Sequence, residues 1–398
     1  MKGKIEQLCR VSAQSSRVVI GVMSGTSLDG LDIAVCRLSG SGPGTGLEII
    51  AFETVSYDEA FKNEIRSVFS RRQVDLEKVC LLNAWVAVQH GNMVLDCLKR
   101  WKIDISEVDL LASHGQTIYH APKILHQQAK FGNATLQIGD GDHLAVTTGI
   151  ITISDFRQKH IAAGGEGAPL AAYGDYLIFS KPGEDRIMLN IGGIANFTYL
   201  PGDLDAGAVF STDTGPGNTL MDAYAQTYFS QAYDKNASIA RSGSLHQGLL
   251  DALLDHDFFA AGFPKTTGPE LFNLAYIEAA KQRAGAVAIS HQDTMTTLNS
   301  FSAITIADAL NRTTGGNRSF HVYSSGGGMH NPLLMGHLRS LLPQHQFYTT
   351  AALQVNPDAK EALLFAVLAN ECIAGTAQPI GGGRDIPRVS MGKISFPD

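Results

Sequence analysis

The sequence predicts an α/β fold in two domains with a cleft between them. Its 398 residues exceed the roughly 100 to 200 residues of a typical domain, so two domains are expected. Short β-branched runs alternate with helix-period apolar stripes, which is typical of α/β proteins. A unit of strand, glycine-rich turn and strand starts at Val18 and recurs at Arg186. Such duplication favours two related domains that face one another.

Charge and composition argue against several classes of protein. The net charge is −7 without a long basic run, so nucleic acid is not expected as a partner, because phosphate neutralisation needs clustered Lys and Arg. No uninterrupted apolar segment approaches the roughly 18 residues of a membrane span, so no membrane partner is expected. The residues before Val18 are polar and lack an apolar signal segment. The five cysteines form no C-x-x-C motif, which favours reduced thiols in a cytoplasmic protein. The sequence leaves the oligomeric state open, with a homodimer among the options.

The first strand, Val18 to Val22, leads into the turn MSGTSLDG and a second strand, LDIAVCRL. Backbone amides and hydroxyls of such a turn can converge on a phosphate. Asp29 and Asp32 follow the hydroxyls, where a hydrated magnesium ion would bridge them to phosphate oxygens. The alternative is a tight hairpin with an ordinary Asp-Gly turn.

Strands and helices then alternate up to a polar motif. A third strand is predicted from Leu47 to Val55. Apolar stripes predict two helices with buried faces, and their residues are Phe61, Ile65 and Val68, then Leu81, Trp85, Val88, Leu95 and Leu98. A strand from Val108 to Ala112 precedes the motif SHGQT, which we expect at its C-terminal end, where α/β sheets bind ligands.

A turn-rich segment follows. Arg157 carries a planar cation that suits a carboxylate or sugar hydroxyls. His160 is either a ligand-contacting imidazole or a hydrogen-bonded structural histidine, and the second role is the commoner one for a single His. Gly164, Gly165 and Gly167 predict a loop that allows close backbone approach.

The stretch Ser211 to Tyr224 places one carboxylate, Asp213, between a predicted strand and a predicted helix that starts at Asn218. The bend Gly215 to Gly217 would direct the helix N-terminus and its N–H groups toward a ligand. The alternative role of Asp213 is to cap the helix.

Near the C-terminus, a strand from Phe320 to Tyr323 leads into SSGGGMHNPLL, where bare backbone before a helix would let a flat ring lie against it. The segment Asn356 to Asn370 predicts a capped helix with Glu361 in its first turn.

These glycine-bearing elements resemble those of the actin-like ATPase and sugar kinase superfamily, in which the first two bind phosphates and the third holds adenosine. The full set of motifs is similar to the anhydro-N-acetylmuramic acid kinase family from Val18 to Ile394. The motifs are GVMSGTSLDGLD, SHGQT, LQIGDGDHLA, SDFR, AAGGEGAPL, NIGGIAN, DTGPGNTLMDA, PKTTG and SGGGMHNPLL. The chain departs from the family at His160, where an acid is usual after SDFR, and at Pro269, where an Arg is usual after PKTTG. Those departures concern the sugar and not phosphate transfer.

The resemblance implies roles for specific residues. Asp213 would be the catalytic base, and Asp29 and Asp32 would hold magnesium. The ATP site would comprise Gly25, Thr26, Ser27, Leu28, Asp29, Gly30, Leu31, Asp32, Gly192, Gly193, Gly326, Gly327, Gly328 and Asn331. The sugar would be contacted by His114, Gln116, Arg157 and Glu361.

The resemblance also implies domain limits and an activity. Residues 1–150 would form the first actin-like lobe, residues 151–372 the second, and residues 373–398 would return to the first. The expected reaction opens the 1,6-anhydro ring of anhydro-N-acetylmuramic acid and phosphorylates O6 with ATP and Mg²⁺ in cell-wall recycling. Two alternatives stay open: a kinase of another anhydrosugar such as levoglucosan, and a nucleotide-gated actin-like binding protein without sugar turnover.

Overall fold

The computed structural model describes residues 2–167, 170–315, 318–353, 355–377, 380 and 389–398. The described residues form two compact units, each with helices and a β-sheet, so the predicted α/β class is confirmed. The first unit comprises Met1–Ser180, Ala206–Ala208 and Val355–Asp398, and the second comprises Lys181–Asp205 and Val209–Gln354.

A seven-stranded sheet forms the centre of the first unit. Its strands are β1 (Ser16–Ser24), β2 (Gly30–Ser39), β3 (Gly46–Ser56), β4 (Leu110–Ala121), β5 (Ala134–Ile138), β6 (Thr152–Ser154) and β12 (Lys393–Ser395). The order is β12-β6-β4-β1-β2-β3, and β5 pairs with β4. Antiparallel pairing of β1 with β2 confirms the predicted hairpin, and β1 runs parallel to β4.

Helices cover this sheet. They are α1 (Lys2–Ala13), α2 (Glu59–Arg66), α3 (Leu76–Trp101), α4 (Lys123–His126), α5 (Gly141–Thr148), α6 (Phe156–Ala162), α7 (Ala171–Phe179) and α14 (Lys360–Ala374). The core joins alternate residues of β1 to the buried faces of α2 and α3. On α14, the carbonyl of Ala362 lies so close to Gly21 that a Cβ there would overlap it. Glycine at this position therefore lets a helix backbone lie directly on the sheet.

The predicted apolar face of α3 is confirmed at Leu98, which is buried, but not at Leu81. Leu81 is 62% exposed, whereas Leu82, Val86 and Val94 are buried in the core. Both stripes are apolar in sequence, and packing against the sheet selects one of them.

A five-stranded sheet in the order β11-β10-β7-β8-β9 forms the centre of the second unit. Its strands are β7 (Arg186–Ile191), β8 (Ile194–Leu200), β9 (Phe210–Pro216), β10 (His321–Ser325) and β11 (Gln346–Thr349). Its helices are α8 (Thr219–Phe229), α9 (Gln247–Leu254), α10 (Asp257–Ala260), α11 (Leu274–Arg283), α12 (His291–Thr314) and α13 (Pro332–Leu341). The β7–β8 hairpin matches the predicted second strand–turn–strand unit.

The division of the chain falls after Ser180 and not after residue 150. Strand β6 pairs with β4, which keeps the segment after residue 150 in the first sheet. The return to the first unit starts at Val355 and not at residue 373, because α14 packs on β1. Strand β12 then pairs with β6. Residues 378–379 and 381–388 of the predicted tail lie outside the described residues, as do Ala168 and Pro169 of the motif AAGGEGAPL.

Two further predictions concern the motif SHGQT and the cysteines. The motif SHGQT lies inside β4 and not at its end, because β4 continues past Gln116 by pairing with β5. All five cysteines are free thiols, as predicted. In the described part of the chain, every helix is too short or too polar to cross a membrane.

Candidate functional site

The turn between β1 and β2, residues Gly25 to Asp29, is called the first turn. Its backbone is closed by a 3.4 Å hydrogen bond from the Leu28 N–H to the Gly25 carbonyl. Leu28 and the neighbouring Leu31 are buried, so neither offers its side chain to a ligand. Thr26, Ser27 and Asp29 are exposed and offer the hydroxyls and the carboxylate predicted for this turn.

Asp32 and Glu361 bring negative charge to this part of the first unit. Burial raises the pKa of Asp32, the Thr54 hydroxyl lowers it, and the charges of Asp358 and Asp29 raise it further. Burial also raises the pKa of Glu361, and so does the charge of Asp32, whereas Arg157 lowers it. Lys360 also lowers the pKa of Glu361, so the carboxylates of Asp32 and Glu361 interact with one another and with the cations Arg157 and Lys360.

This environment suits a magnesium ion whose ligands are mainly waters and substrate phosphates. Among the described residues, no group of three or more Asp, Glu, His or Cys side chains is arranged to hold a metal. Mg²⁺ usually keeps several waters and is held by one or two carboxylates together with substrate phosphates. Asp29 and Asp32 match that smaller requirement.

Of the side chains predicted to contact sugar, His114 and Gln116 are buried and Arg157 is partly exposed. His114 Nδ1 donates to the Gly115 carbonyl at 2.9 Å, so its Nε2 accepts from Arg157 Nε at 2.8 Å. Burial lowers the pKa of His114 to about 3, and the charge of Arg157 contributes, so the imidazole is neutral. His114 therefore orients Arg157 instead of meeting a ligand itself.

The polar atoms of Gln116 are bonded within the protein. Its Oε1 accepts from the hydroxyl of Ser24, and its Nε2 donates to the carbonyls of Gly25 at 3.4 Å and Thr117 at 3.2 Å. The structure thus brings Gln116 to the first turn.

His160 supports the glycine loop. Its Nδ1 accepts from the Gly167 N–H at 2.9 Å, and a Cβ at Gly165 would overlap its ring, which confirms the predicted close approach. The Gly167 carbonyl in turn accepts from Arg157 Nη1 at 2.7 Å. Burial lowers the pKa of His160, so the ring is neutral and packs edge-on against Tyr173. These contacts fit the structural role that the sequence left open.

In the second unit, the turn Gly192–Gly193 is bonded to the start of α8. The N–H groups of Gly217 and Asn218 donate to the carbonyls of Gly193 and Gly192 at 2.8 Å, and that of Thr219 donates to Gly193 at 3.0 Å. These three N–H groups are therefore used by the hairpin turn and do not face a ligand, in contrast to what was predicted for the bend and the start of the helix.

The glycines Gly326 to Gly328 lie beside the same turn. A Cβ at Gly328 would overlap the side chain of Ile191, and Gly326 has φ +82°. A Cβ at Gly327 would meet only Asn218 Nδ2, at 3.7 Å. Gly326 and Gly328 are thus required by the fold, whereas Gly327 leaves open space. Asn331 caps α13 by accepting from the N–H groups of Leu333 and Leu334, so its side-chain oxygen is already used.

Asp213 lies in β9 and does not cap α8, whose N-cap residue is Asn218. The backbone N–H of Asp213 donates to the Lys265 carbonyl at 2.9 Å, and its Oδ2 accepts from the Thr267 N–H at 2.8 Å. Burial raises the pKa of Asp213, the Thr267 N–H lowers it, and the charge of Glu270 raises it. Among the described residues, Oδ1 has no hydrogen-bond partner, so one oxygen is held and the other can accept a proton.

Sequence patterns alone did not identify Thr267, Glu270, Tyr57 or His90. Thr267 belongs to the PKTTG motif, so the motif was a usable signal. Tyr57 and His90 bond to one another at 2.9 Å although they are distant in sequence, and no local pattern identifies such a pair.

Comparison with known proteins gives consistent matches. A family model described as anhydro-N-acetylmuramic acid kinase matches residues 17–389. A protein of that name from Pseudoalteromonas atlantica is 59% identical, and one from Pseudoalteromonas translucida is 54% identical, each over 100% of both chains. One from Caldanaerobacter subterraneus is 35% identical over 98% of this chain and 100% of its own.

Proposed function

The chain belongs to the anhydro-N-acetylmuramic acid kinase family, and on that premise we propose that it opens and phosphorylates 1,6-anhydro-N-acetylmuramic acid with ATP. The products are N-acetylmuramic acid 6-phosphate and ADP, and the reaction serves peptidoglycan recycling. Family membership also carries the actin-like ATPase fold predicted from the sequence. We place the activity in the cytoplasm, where ATP is supplied.

The main observation that supports the mechanism is that, within the described part of the chain, one oxygen of the Asp213 carboxylate is hydrogen-bonded and the other is not. Its Oδ2 is fixed by Thr267 and its Oδ1 is available, and its raised pKa favours proton uptake. In the proposed step, Asp213 takes a proton from water while the water oxygen bonds to C1 of the sugar. The C1–O6 bond breaks, O6 bonds to the γ-phosphorus, and the bond to the β-phosphate oxygen breaks to release ADP. General base catalysis of this kind contributes about 10²- to 10⁴-fold.

ATP would be held by backbone more than by side chains. The proposed phosphate contacts are the first turn and the turn Gly192–Gly193. Gly327 is the proposed contact for adenosine, since, among the described residues, a Cβ at this position would meet only the side chain of Asn218. Asp29 and Asp32 would hold Mg²⁺, which neutralises phosphate charge in phosphoryl transfer.

The sugar would be recognised by Arg157 and Glu361. Arg157 is oriented by His114 and by the Gly167 carbonyl at 2.7 Å, which aims a planar cation that fits the lactyl carboxylate. Glu361, an exposed acid that interacts electrostatically with Arg157, would accept from sugar hydroxyl or amide groups.

A coupled ADP-release assay with ATP, Mg²⁺ and anhydro-N-acetylmuramic acid tests the proposal. Levoglucosan lacks the acetamido and lactyl groups, so we expect it to react far more slowly. Equal rates on both sugars would identify a general anhydrosugar kinase. ATP turnover that is independent of any sugar would instead identify a nucleotide-gated binding protein.

A further inference from the structure

Four polar side chains lie buried in the core directly behind the first turn. Ser24, Tyr57, His90 and Gln116 are each at most 3% exposed. They come from β1, the segment before α2, α3 and β4. Buried polar groups cost free energy unless they are hydrogen-bonded, so a cluster of this kind needs a complete set of bonds.

The direction of every bond in the cluster follows from two backbone carbonyls. Gln116 Nε2 lies against the carbonyls of Gly25 and Thr117, which can only accept, so the other amide atom toward Ser24 is Oε1. An amide oxygen cannot donate, so the single hydroxyl proton of Ser24 points to Gln116.

The remaining two bonds are then fixed. Because the Ser24 proton is used, its oxygen accepts from the hydroxyl of Tyr57 at 2.7 Å. The Tyr57 oxygen therefore accepts from His90 Nε2 at 2.9 Å, and His90 carries its proton on Nε2. Burial lowers the pKa of His90 to about 3 and raises that of Tyr57, so both rings stay neutral and the chain keeps one direction near neutral pH.

Packing holds the end of this hydrogen-bond chain that lies away from the first turn. The Tyr57 ring stacks on Phe61 with centroids 4.0 Å apart, and Phe61 stacks on Trp85 at 5.2 Å. At its other end the hydrogen-bond chain terminates on the carbonyl of Gly25, the first residue of the first turn. The preceding residue, Ser24, pairs with Gln116 across β1 and β4.

We propose that Tyr57 and His90 are positioning residues that hold the first turn in its phosphate-binding conformation through Ser24 and Gln116. The inference rests on the proposed function, in which the first turn binds ATP phosphates. Neither residue touches ATP in this account. They act by fixing where the Gly25 carbonyl lies, and so where the following amides point.

The test removes one hydroxyl and compares nucleotide affinity. Tyr57→Phe keeps the stacked ring but takes away the donor to Ser24, and we expect the KM for ATP to rise about two- to tenfold, the worth of one typical hydrogen bond. The KM for the sugar should change less. The matched control is Tyr224→Phe in the second unit, where the buried hydroxyl bonds to His291 at 2.8 Å and Lys281 at 2.9 Å. This variant also loses the hydrogen bonds of a buried tyrosine hydroxyl, but its KM for ATP should stay at the wild-type value.

A conservative pair separates positioning from general stability. His90→Gln places an amide N–H near the Nε2 position and should retain most of the ATP affinity. His90→Leu has no donor, so its KM for ATP should rise as that of Tyr57→Phe does. If Tyr57→Phe and His90→Leu melt at lower temperature while their KM for ATP is unchanged, the hydrogen-bond chain is structural only and the inference is wrong.

Titration with a fluorescent nucleotide keeps the two proposals distinguishable. If the wild type binds nucleotide but does not turn over the anhydrosugar, the kinase proposal fails and the titration still decides the role of Tyr57. If the wild type is active and Tyr57→Phe binds nucleotide as tightly as the wild type, only the present inference fails.

Discussion

The backbone N–H of Thr267 donates a 2.8 Å hydrogen bond to Oδ2 of Asp213. A second bond from the same segment to β9 is donated by the Lys265 N–H to Thr212 Oγ1, and one bond runs in the opposite sense, from the Asp213 N–H to the Lys265 carbonyl. These bonds hold the Asp213 backbone and its Oδ2 against residues 265–267. They leave Oδ1 as the atom that can take a proton, which is the arrangement a general base needs.

Replacement of this carboxylate should separate binding from chemistry. Asp213→Asn keeps an oxygen for the Thr267 N–H, but its amide cannot accept a proton from water. We expect kcat to fall by at least about 10²-fold while the affinities for ATP and sugar survive. Steady-state kinetics and nucleotide titration measure both quantities.

The matched control is Asp222→Asn in α8. Burial raises the pKa of Asp222 as it does that of Asp213, so the same substitution is made at another partly buried acid of the second unit. Its kcat should stay near that of the wild type. Full activity of Asp213→Asn would show that the base is assigned wrongly.

The pH dependence should report the surroundings of Asp213. A base works when ionised, so a raised pKa moves the acidic limb of kcat/KM above the pH expected for an ordinary aspartate. Glu270→Gln removes a negative charge that raises this pKa, so the acidic limb should move to lower pH. Glu278→Gln removes the same charge from α11, where it lies 3.6 Å from Lys281, and should leave the limb in place. An unmoved limb in Glu270→Gln would mean that another group sets it.

Substitution of two glycines should weaken nucleotide binding, whereas substitution of a third should lower the stability of the fold. A Cβ at Gly25 or Gly327 meets nothing closer than 3.6 Å, so Gly25→Ala and Gly327→Ala should fold normally. If phosphate and adenosine lie against these positions, both variants should bind a fluorescent ATP analogue more weakly. Gly328→Ala overlaps Ile191 and should instead destabilise the protein by about 1–3 kcal/mol. Unchanged affinity in both of the first two variants would remove these contacts from the site.

His160 should act on stability first and on the sugar only through its loop. The His160 ring holds the Gly167 N–H, and the Gly167 carbonyl holds Arg157. His160→Ala leaves a buried N–H unpaired, so we expect about 1–3 kcal/mol less stability in urea unfolding. The KM for sugar should rise less than in Arg157→Ala, and the KM for ATP should not change. Undiminished stability together with a sugar KM as high as that of Arg157→Ala would show direct contact with the ligand instead.

Local patterns in the sequence were sufficient for the hairpins and for the position of Asp213. A β-branched run on each side of a glycine-rich turn predicts paired strands, and β1–β2 and β7–β8 form in that way. A strand was predicted over Ala206, Val209 and Phe210, but Ala206–Ala208 forms a 3₁₀ turn and the strand runs from Phe210 through Asp213 to Pro216, which removes the helix-cap role.

Features set by packing between distant segments were not predictable in the same way. The polar motif SHGQT was expected at the C-terminal end of an apolar strand, yet Gly115 adopts φ +71° where β4 begins to pair with β5 and the strand continues. The bond from Ser24 to Gln116 and the bond from Tyr57 to His90 join residues far apart in sequence, so no periodicity reveals them.

Isotope labelling tests the proposed bond changes independently of any variant. When the reaction runs in ¹⁸O water, the water oxygen that attacks C1 should become the anomeric hydroxyl of N-acetylmuramic acid 6-phosphate. The phosphate should carry no label, because the sugar's own O6 attacks the γ-phosphorus. Mass spectrometry of the product before and after phosphatase treatment locates the label, provided that the product is analysed before its anomeric oxygen exchanges with solvent. A control incubation of unlabelled product in ¹⁸O water gives the rate of that exchange. Label in the phosphate would mean that water attacks ATP first, and the role of Asp213 at C1 would then be wrong.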